Sequence, residues 1–330
     1  MKRQETAIPT IRRRCFNMIV FVLSCVEKEN GGGIYKFNIT DESVVQTGYL
    51  PCDRPMYAVL SDDRLHVLLR APFKCSENGG YFSCKTDFTD CTEIENTLGK
   101  CPCHFAVDGS DVYVVNYLSG NIVKNFKRVL SHSGKGVNLP RQDMPHTHFA
   151  CFSPDKKYVL CCDLGLDTIF IYDRDLNEVS RTKVPDGYGV RHLTFSKDGK
   201  YIYAVNELVP SVSVFSYFDG KANYINTVKL DCKVKNSTAA AIRLCNKRNV
   251  LFVSVRGENM VFELGIENEK LFVRKATDCF GDSPRDINIF DKYIAICNEN
   301  SNNFEVINSE TNERLSVKIQ KPLCVLKEGD

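Results

Sequence analysis

A unit of short strands and turns recurs along this chain at a spacing of roughly 45 residues, the period of a four-stranded propeller blade. The clearest copy starts at His148 in the run HFACFSPD. It continues through strand-like stretches at 158–163, 168–173 and 178–184. The next copy starts at Arg191 in RHLTFSKDG and continues through 201–206, 211–217 and 224–230. Further copies begin near Met56, His104, Ala240 and Asp286. Each stretch alternates Val, Ile, Tyr and Phe with polar residues, and Asp, Asn, Gly and Pro mark the turns. No stretch keeps a helical period between caps.

Six complete blades follow, and the two chain ends supply a seventh. Residues 18–25, 33–38 and 43–49 read as three strands with no inner strand before them, and residues 322–326 as a lone strand with nothing after it. Pairing that strand with the first three closes the ring, which removes the exposed edges that an open propeller would leave. The expected fold is all-β, a seven-bladed β-propeller of four-stranded blades closed by its C-terminal strand. Residues 18–330 form the expected propeller domain, with 1–17 as an extension ahead of it.

Composition narrows the function classes. Lys and Arg number 43 against 41 Asp and Glu, a net charge of +2. So balanced a chain has no strong long-range field, which argues against nucleic-acid and membrane-surface partners. No apolar run approaches the roughly 20 residues of a membrane helix. Trp is absent, which removes the Trp-Asp repeat propellers, and the paired glycines of kelch blades are missing.

The 16 cysteines include no C-x-x-C pair. The close pairs Cys101/Cys103 and Cys161/Cys162 have no accompanying histidine cluster, so no metal or other cofactor is expected. Cys151, Cys161, Cys162 and Cys297 sit in apolar stretches and read as small buried hydrophobes in a reducing compartment. Arg12 to Arg14 followed by an apolar stretch at 18–23 resembles a signal peptide. That stretch is needed as a strand, so the expected location is cytoplasmic.

In a blade, the start of the inner strand and the end of the second strand lie at one rim. At inner-strand starts stand His104, His146, His148, Arg191, His192, Arg285 and Asp286. At second-strand ends stand Asn116, Asp163, Asn206, Glu207, Arg256, Asn298 and Glu299, and Arg141 and Gln142 lead into the same rim. Any one of them reads as a solvated or structural group. Together they place three arginines and a His-x-His around Glu207. Guanidinium forks bind carboxylate or phosphate in a bidentate way, and Glu beside His is a possible acid/base pair. Alternate strand residues point to opposite faces, so which of His146 and His148 faces the channel stays open.

At these residues the sequence resembles the lactonase-type seven-bladed propeller family, which includes propeller 6-phosphogluconolactonases and carboxy-cis,cis-muconate cyclases. The matching stretches are Arg141-Gln142 leading to Pro145-His146-Thr147-His148, Asp163-Leu164-Gly165 with Asp167, and Gly189-Val190-Arg191-His192. They continue with Val205-Asn206-Glu207, Thr238 to Arg243, Ser254-Val255-Arg256-Gly257 and Ser283-Pro284-Arg285-Asp286. Asn116-Tyr117 with Ser119-Gly120, and the ending Pro322-Leu323-Cys324-Val325, fit as well. The second blade departs from the pattern: Leu69-Arg70-Ala71-Pro72 stands where a Val-Asn-Glu-like corner is expected. Val190 and Val255 likewise replace the usual Pro and Asn before the arginine.

The resemblance implies catalytic residues at His148, Arg191, Glu207 and Arg256. We expect substrate contacts from His146, His192, Arg285, Asn206 and Asn298. The expected partner is a small anionic substrate. The leading expectation is hydrolysis of a sugar lactone, 6-phosphoglucono-δ-lactone above others, without a metal. Glu207, alone or through His148, would be the base and an arginine would stabilise the oxyanion. The alternatives are a cycloisomerase of a muconate-like dicarboxylate and a non-catalytic binding propeller.

Overall fold

A computed structural model describes residues 17–267 and 270–329. Residues 1–16, most of the expected extension, lie outside the described residues, and Asn17 already opens the first strand. Among the described residues, seven four-stranded antiparallel sheets form the seven-bladed propeller, with one short 3-10 turn at Lys28–Asn30. The first blade joins Asn17–Ser24, Gly33–Thr40 and Val44–Pro51 to the C-terminal strand Pro322–Lys327. That strand lies antiparallel to the first, with Phe21 opposite Leu326 and Leu23 opposite Cys324. The ring therefore closes as the two chain ends imply.

The inner strands of the other six blades are Pro55–Ser61, Pro102–Asp108, Thr147–Phe152, Val190–Phe195, Thr238–Cys245 and Pro284–Phe290. Each is followed by its second, third and outer strand in chain order. Second strands such as Tyr158–Asp163 and Tyr201–Asn206 are buried along nearly their whole length because neighbouring blades pack on both faces. Outer strands such as Glu178–Lys183 alternate and face solvent. The apolar core is accordingly divided among the gaps between blades: Val205, Val214, Val253 and Phe262 fill one gap, and Phe37, Val306 and Phe304 another. Cys161, Cys162, Cys297 and Cys324 are fully buried in these layers, whereas Cys75 and Cys91 are exposed.

One irregularity recurs in all seven blades. The register between inner and second strand slips at the start of the inner strand: Pro102 pairs Asn116 and His104 pairs Val115, so Cys103 is left unpaired. The same slip leaves Met56, His148, Arg191, Arg285 and Leu323 unpaired in their blades. In the sixth blade it falls between Ala239 and Ile242. A β-bulge re-aims the side chain of its extra residue, and in six of the blades it turns one residue toward the channel.

Candidate active site

The bulged residues line two connected spaces at the channel. A cavity of about 310 Å³ opens at the rim, with Met56, Cys103, His148, Arg285 and Leu323 in its wall. Beneath it a space of about 20 Å³, room for about one water, touches His148, Arg191, His192 and Arg285. A second ring of cavity residues comes from the first position past each second strand. Its backbone N–H donates to the carbonyl just before the inner strand: Glu207 to Gly189 at 2.8 Å, Glu299 to Ser283 at 2.9 Å, Tyr117 to Cys101, Arg70 to Arg54 and Cys25 to Lys321 each at 3.0 Å. Five blades thus present Cys25, Arg70, Tyr117, Glu207 and Glu299 to the cavity.

Glu207 is the centre of the charge arrangement. Its Oε1 accepts Nη2 of Arg141 at 2.5 Å, and its Oε2 accepts Nε of Arg191 at 2.9 Å. Nη2 of Arg256 lies 3.0 Å from the same Oε2. Burial alone would raise the Glu207 carboxyl; Arg256 and Arg191, with Arg141, outweigh it and hold the group well below the usual carboxylate range. Arg191 is itself fixed on its other side, donating Nη1 to the Ala240 carbonyl at 2.8 Å. Burial pulls its guanidinium downward and Glu207 pushes it back up, and a guanidinium starts high enough to remain charged at neutral pH.

The turn ahead of Arg191 explains how it is delivered. Gly189 has φ 68°, a left-handed conformation natural to glycine, and a Cβ there would meet Leu208 Cγ at 2.7 Å. Asp167 accepts the N–H of Gly187 at 2.7 Å and of Gly189 at 2.6 Å, and Gln142 donates to Asp167 at 2.8 Å. Asp167 and Gln142 are therefore supports of this turn.

His148 and His192 lie side by side with ring centroids 5.2 Å apart. Burial first, then Arg191, lowers both well below the ordinary histidine value, so both are neutral at pH 7. Arg191 Nη1 is 3.1 Å from His192 Nε2. A guanidinium can only donate, so His192 accepts there and carries its proton on Nδ1. His148 Nδ1 is buried and has no hydrogen-bond partner among the described residues.

The structure gathers His148, Glu207, Arg256 and Arg285 around the cavity and places Arg191 and His192 directly beneath it. Three expected contacts fall elsewhere. His146 stacks on Tyr117 at 4.4 Å and its Nδ1 faces the Tyr117 carbonyl at 3.1 Å, so it props the ring from behind. Asn206 donates its amide to Ser211 and Ser213 Oγ, both at 2.9 Å, and Asn298 donates to the Cys279 carbonyl at 2.9 Å. Both amides are fully buried inside their blades; as the last residues of their strands they point away from the cavity that the next residue enters. Between His146 and His148, the bulge selects His148. Arg141, marked in the sequence only as leading into the rim, is a direct partner of Glu207. Tyr117, Arg70 and Lys321 also line the cavity; the first two stand at the corner after their second strands, the position that Glu207 holds in its blade.

Residues 20–326 match the family described as lactonase, 7-bladed β-propeller. The chain belongs to this lactonase family. An uncharacterized protein of Staphylococcus epidermidis is 29% identical over 343 residues, covering 91% of this chain and 97% of that protein. A proposed 6-phosphogluconolactonase from Bacteroides fragilis superposes with a TM-score of 0.83 at 24% identity, covering 94% of this chain and 98% of its own. The Pseudomonas aeruginosa periplasmic gluconolactonase superposes with a TM-score of 0.81 at 21% identity, covering 94% and 99%. At these identities the two structures speak for the fold of the lactonase propeller. Among the described residues no helix is long and apolar enough to cross a membrane.

Proposed function

We propose that this lactonase propeller hydrolyses a sugar lactone bearing an anionic group, 6-phosphoglucono-δ-lactone being the leading candidate, in the cytoplasm. The observation that carries the reading is the contrast between Glu207 and His148. Both oxygens of Glu207 are taken by arginines, while the neutral imidazole of His148 stands in the cavity wall and, among the described residues, makes no ion pair. His148 is therefore the base. Its imidazole takes a proton from water as the oxygen attacks the lactone carbonyl carbon. The ring C–O bond then breaks, the departing ring oxygen takes a proton, and the open-chain acid is the product.

Glu207 holds Arg256 and Arg141 in place rather than removing the proton. One guanidinium aimed at the carbonyl oxygen stabilises the negative charge that develops there, usually the largest single contribution to such a reaction. Family membership and the arginine-rich cavity support the lactone reading. The cysteine content supports a reducing compartment.

The test is a coupled assay. Glucose 6-phosphate dehydrogenase generates the lactone, and excess 6-phosphogluconate dehydrogenase reports the product as NADPH. The expected result is hydrolysis above the spontaneous rate, reduced about 10²- to 10⁴-fold in His148→Ala, the usual contribution of a positioned base. A purified, folded protein with no acceleration on this or an unphosphorylated lactone would overturn the reading.

A further inference from the structure

The cavity is chemically two-sided. Blades four to seven bring His148, Glu207, Arg256 and Arg285, whereas the bulged residues of blades one to three are Leu323, Met56 and Cys103. Over that apolar floor stands Arg70, at the position in its blade that Glu207 and Glu299 occupy in theirs. A cation thus stands where other blades carry a carboxylate.

Charge pairing separates Arg70 from the other arginines. Arg141, Arg191 and Arg256 are paired with Glu207, and Arg285 lies 3.3 Å from Glu299. Among the described residues no carboxylate comes within ion-pair distance of Arg70 or of Lys321, which lines the same cavity. Lys321 is tied in by its carbonyl, which accepts the N–H of Cys25. Arg70 and Arg285 both line this cavity. Arg70 and Lys321, two cations without an ion pair that line one space, match a group of charge near −2, which is that of a phosphate monoester at pH 7.

We propose that Arg70, with Lys321 on the same rim, is a second anion-binding point that selects a phosphorylated lactone over its neutral counterpart. This rests on the lactone-hydrolase reading and assigns the far end of the substrate. The reacting carbonyl lies at His148 and Arg256, the sugar carbons cross the floor of Leu323, Met56 and Cys103, and the phosphate meets Arg70. Arg70 is then a specificity residue without a part in bond breaking.

The experiment compares wild type, Arg70→Gln and Arg70→Lys in two measurements. The first is turnover of 6-phosphoglucono-δ-lactone and of glucono-δ-lactone. The second is calorimetric affinity for 6-phosphogluconate and gluconate. Arg70→Gln is expected to raise KM for the phosphorylated lactone about 10- to 100-fold, the scale of a lost charge-assisted contact, with kcat nearly unchanged. The neutral lactone should be unaffected, and Arg70→Lys should recover part of the loss. Affinity for 6-phosphogluconate should fall by a similar factor and that for gluconate should not.

Equal losses on both lactones, or none, overturn the proposal, as does a wild type that does not bind 6-phosphogluconate. If neither lactone is turned over, the hydrolase reading fails on its own. The calorimetry then still decides Arg70: a selective loss of 6-phosphogluconate affinity upholds the anion point, and an unchanged affinity overturns it. Arg70 is exposed, so its variants should melt as wild type does, which the same samples verify.

Discussion

Nε of Arg191 reaches Oε2 of Glu207 at 2.9 Å, across the mouth of one blade. The two side chains are 3% and 6% exposed, so this ion pair works with little help from water. Pairs of this kind contribute little net stability against an apolar substitute, but breaking one strands a buried charge. Glu207→Gln should therefore unfold more easily, by about 3 kcal/mol, and lose activity as its arginines lose their anchor. Chemical denaturation beside the lactone assay measures both. Wild-type stability in the variant would mean that Arg191 finds another partner.

The same carboxyl makes stability depend on pH. Its folded value lies well below the ordinary 4.5, so its contribution is complete above that value and is lost as pH falls toward the folded one. Unfolding free energy of the wild type should decline between about pH 5 and pH 3. Glu207→Gln should show a shallower decline over that window. Parallel curves for the two proteins would remove Glu207 as a source of the acid sensitivity.

His148 sets the acid limb of the reaction. Burial and Arg191 lower it well below its ordinary 6.5, so it remains a free base under mildly acidic conditions. The profile of kcat/KM should stay flat through pH 6.5 and fall only below it, since that quantity reports the free enzyme. A limb centred at 6.5 or above would exclude His148 as the base.

His132 has a structural part in the neighbouring blade. Its Nδ1 is 2.6 Å from Asp163 and its Nε2 is 2.7 Å from the Tyr172 hydroxyl, with the imidazole 3% exposed. Asp163 also accepts the N–H of His146 at 2.8 Å, which links this network to the segment that carries His148. His132→Ala leaves two buried partners unsatisfied and should cost about 2–4 kcal/mol, whereas Tyr172→Phe should cost about 1 kcal/mol. Specific activity of the folded fraction should change little in either.

The clasp of the first blade predicts the largest loss. Leu323, Cys324 and Val325 are buried, and the Val325 N–H donates to Asp286 at 3.1 Å in the adjoining blade. Deleting residues 321–330 removes this burial, about 1.5–3 kcal/mol for each large apolar side chain, and opens a strand edge. The melting temperature should fall by on the order of 10 °C, or cooperative unfolding should be lost. An unchanged melting temperature would show that the three N-terminal strands suffice.

The sequence by itself determined the blade count, the chain order of the strands and the closure of the ring. Those follow from local information: turn residues, β-branched strands and a period near 45 residues repeat in every blade, so errors in one copy are corrected by the others. It also marked the rim on which His148, Arg191, Glu207, Arg256 and Arg285 meet. Strand direction alone decides which ends share a face.

What only the tertiary structure decided is which way each side chain points and what it meets. A one-residue bulge turns His148 inward and leaves His146 against Tyr117, because side-chain direction in a strand reverses with a single step of register. The same step buries Asn206 and Asn298 in their blades and sends Glu207 and Glu299 into the cavity. Arg141 reaches Glu207 from 66 positions away, and Arg70 stands on the side of the cavity where the bulged residues of its own and the two adjoining blades are Met56, Leu323 and Cys103 rather than charges. Such non-local pairings leave no periodic trace along the chain. They arise only when seven sheets close into one ring.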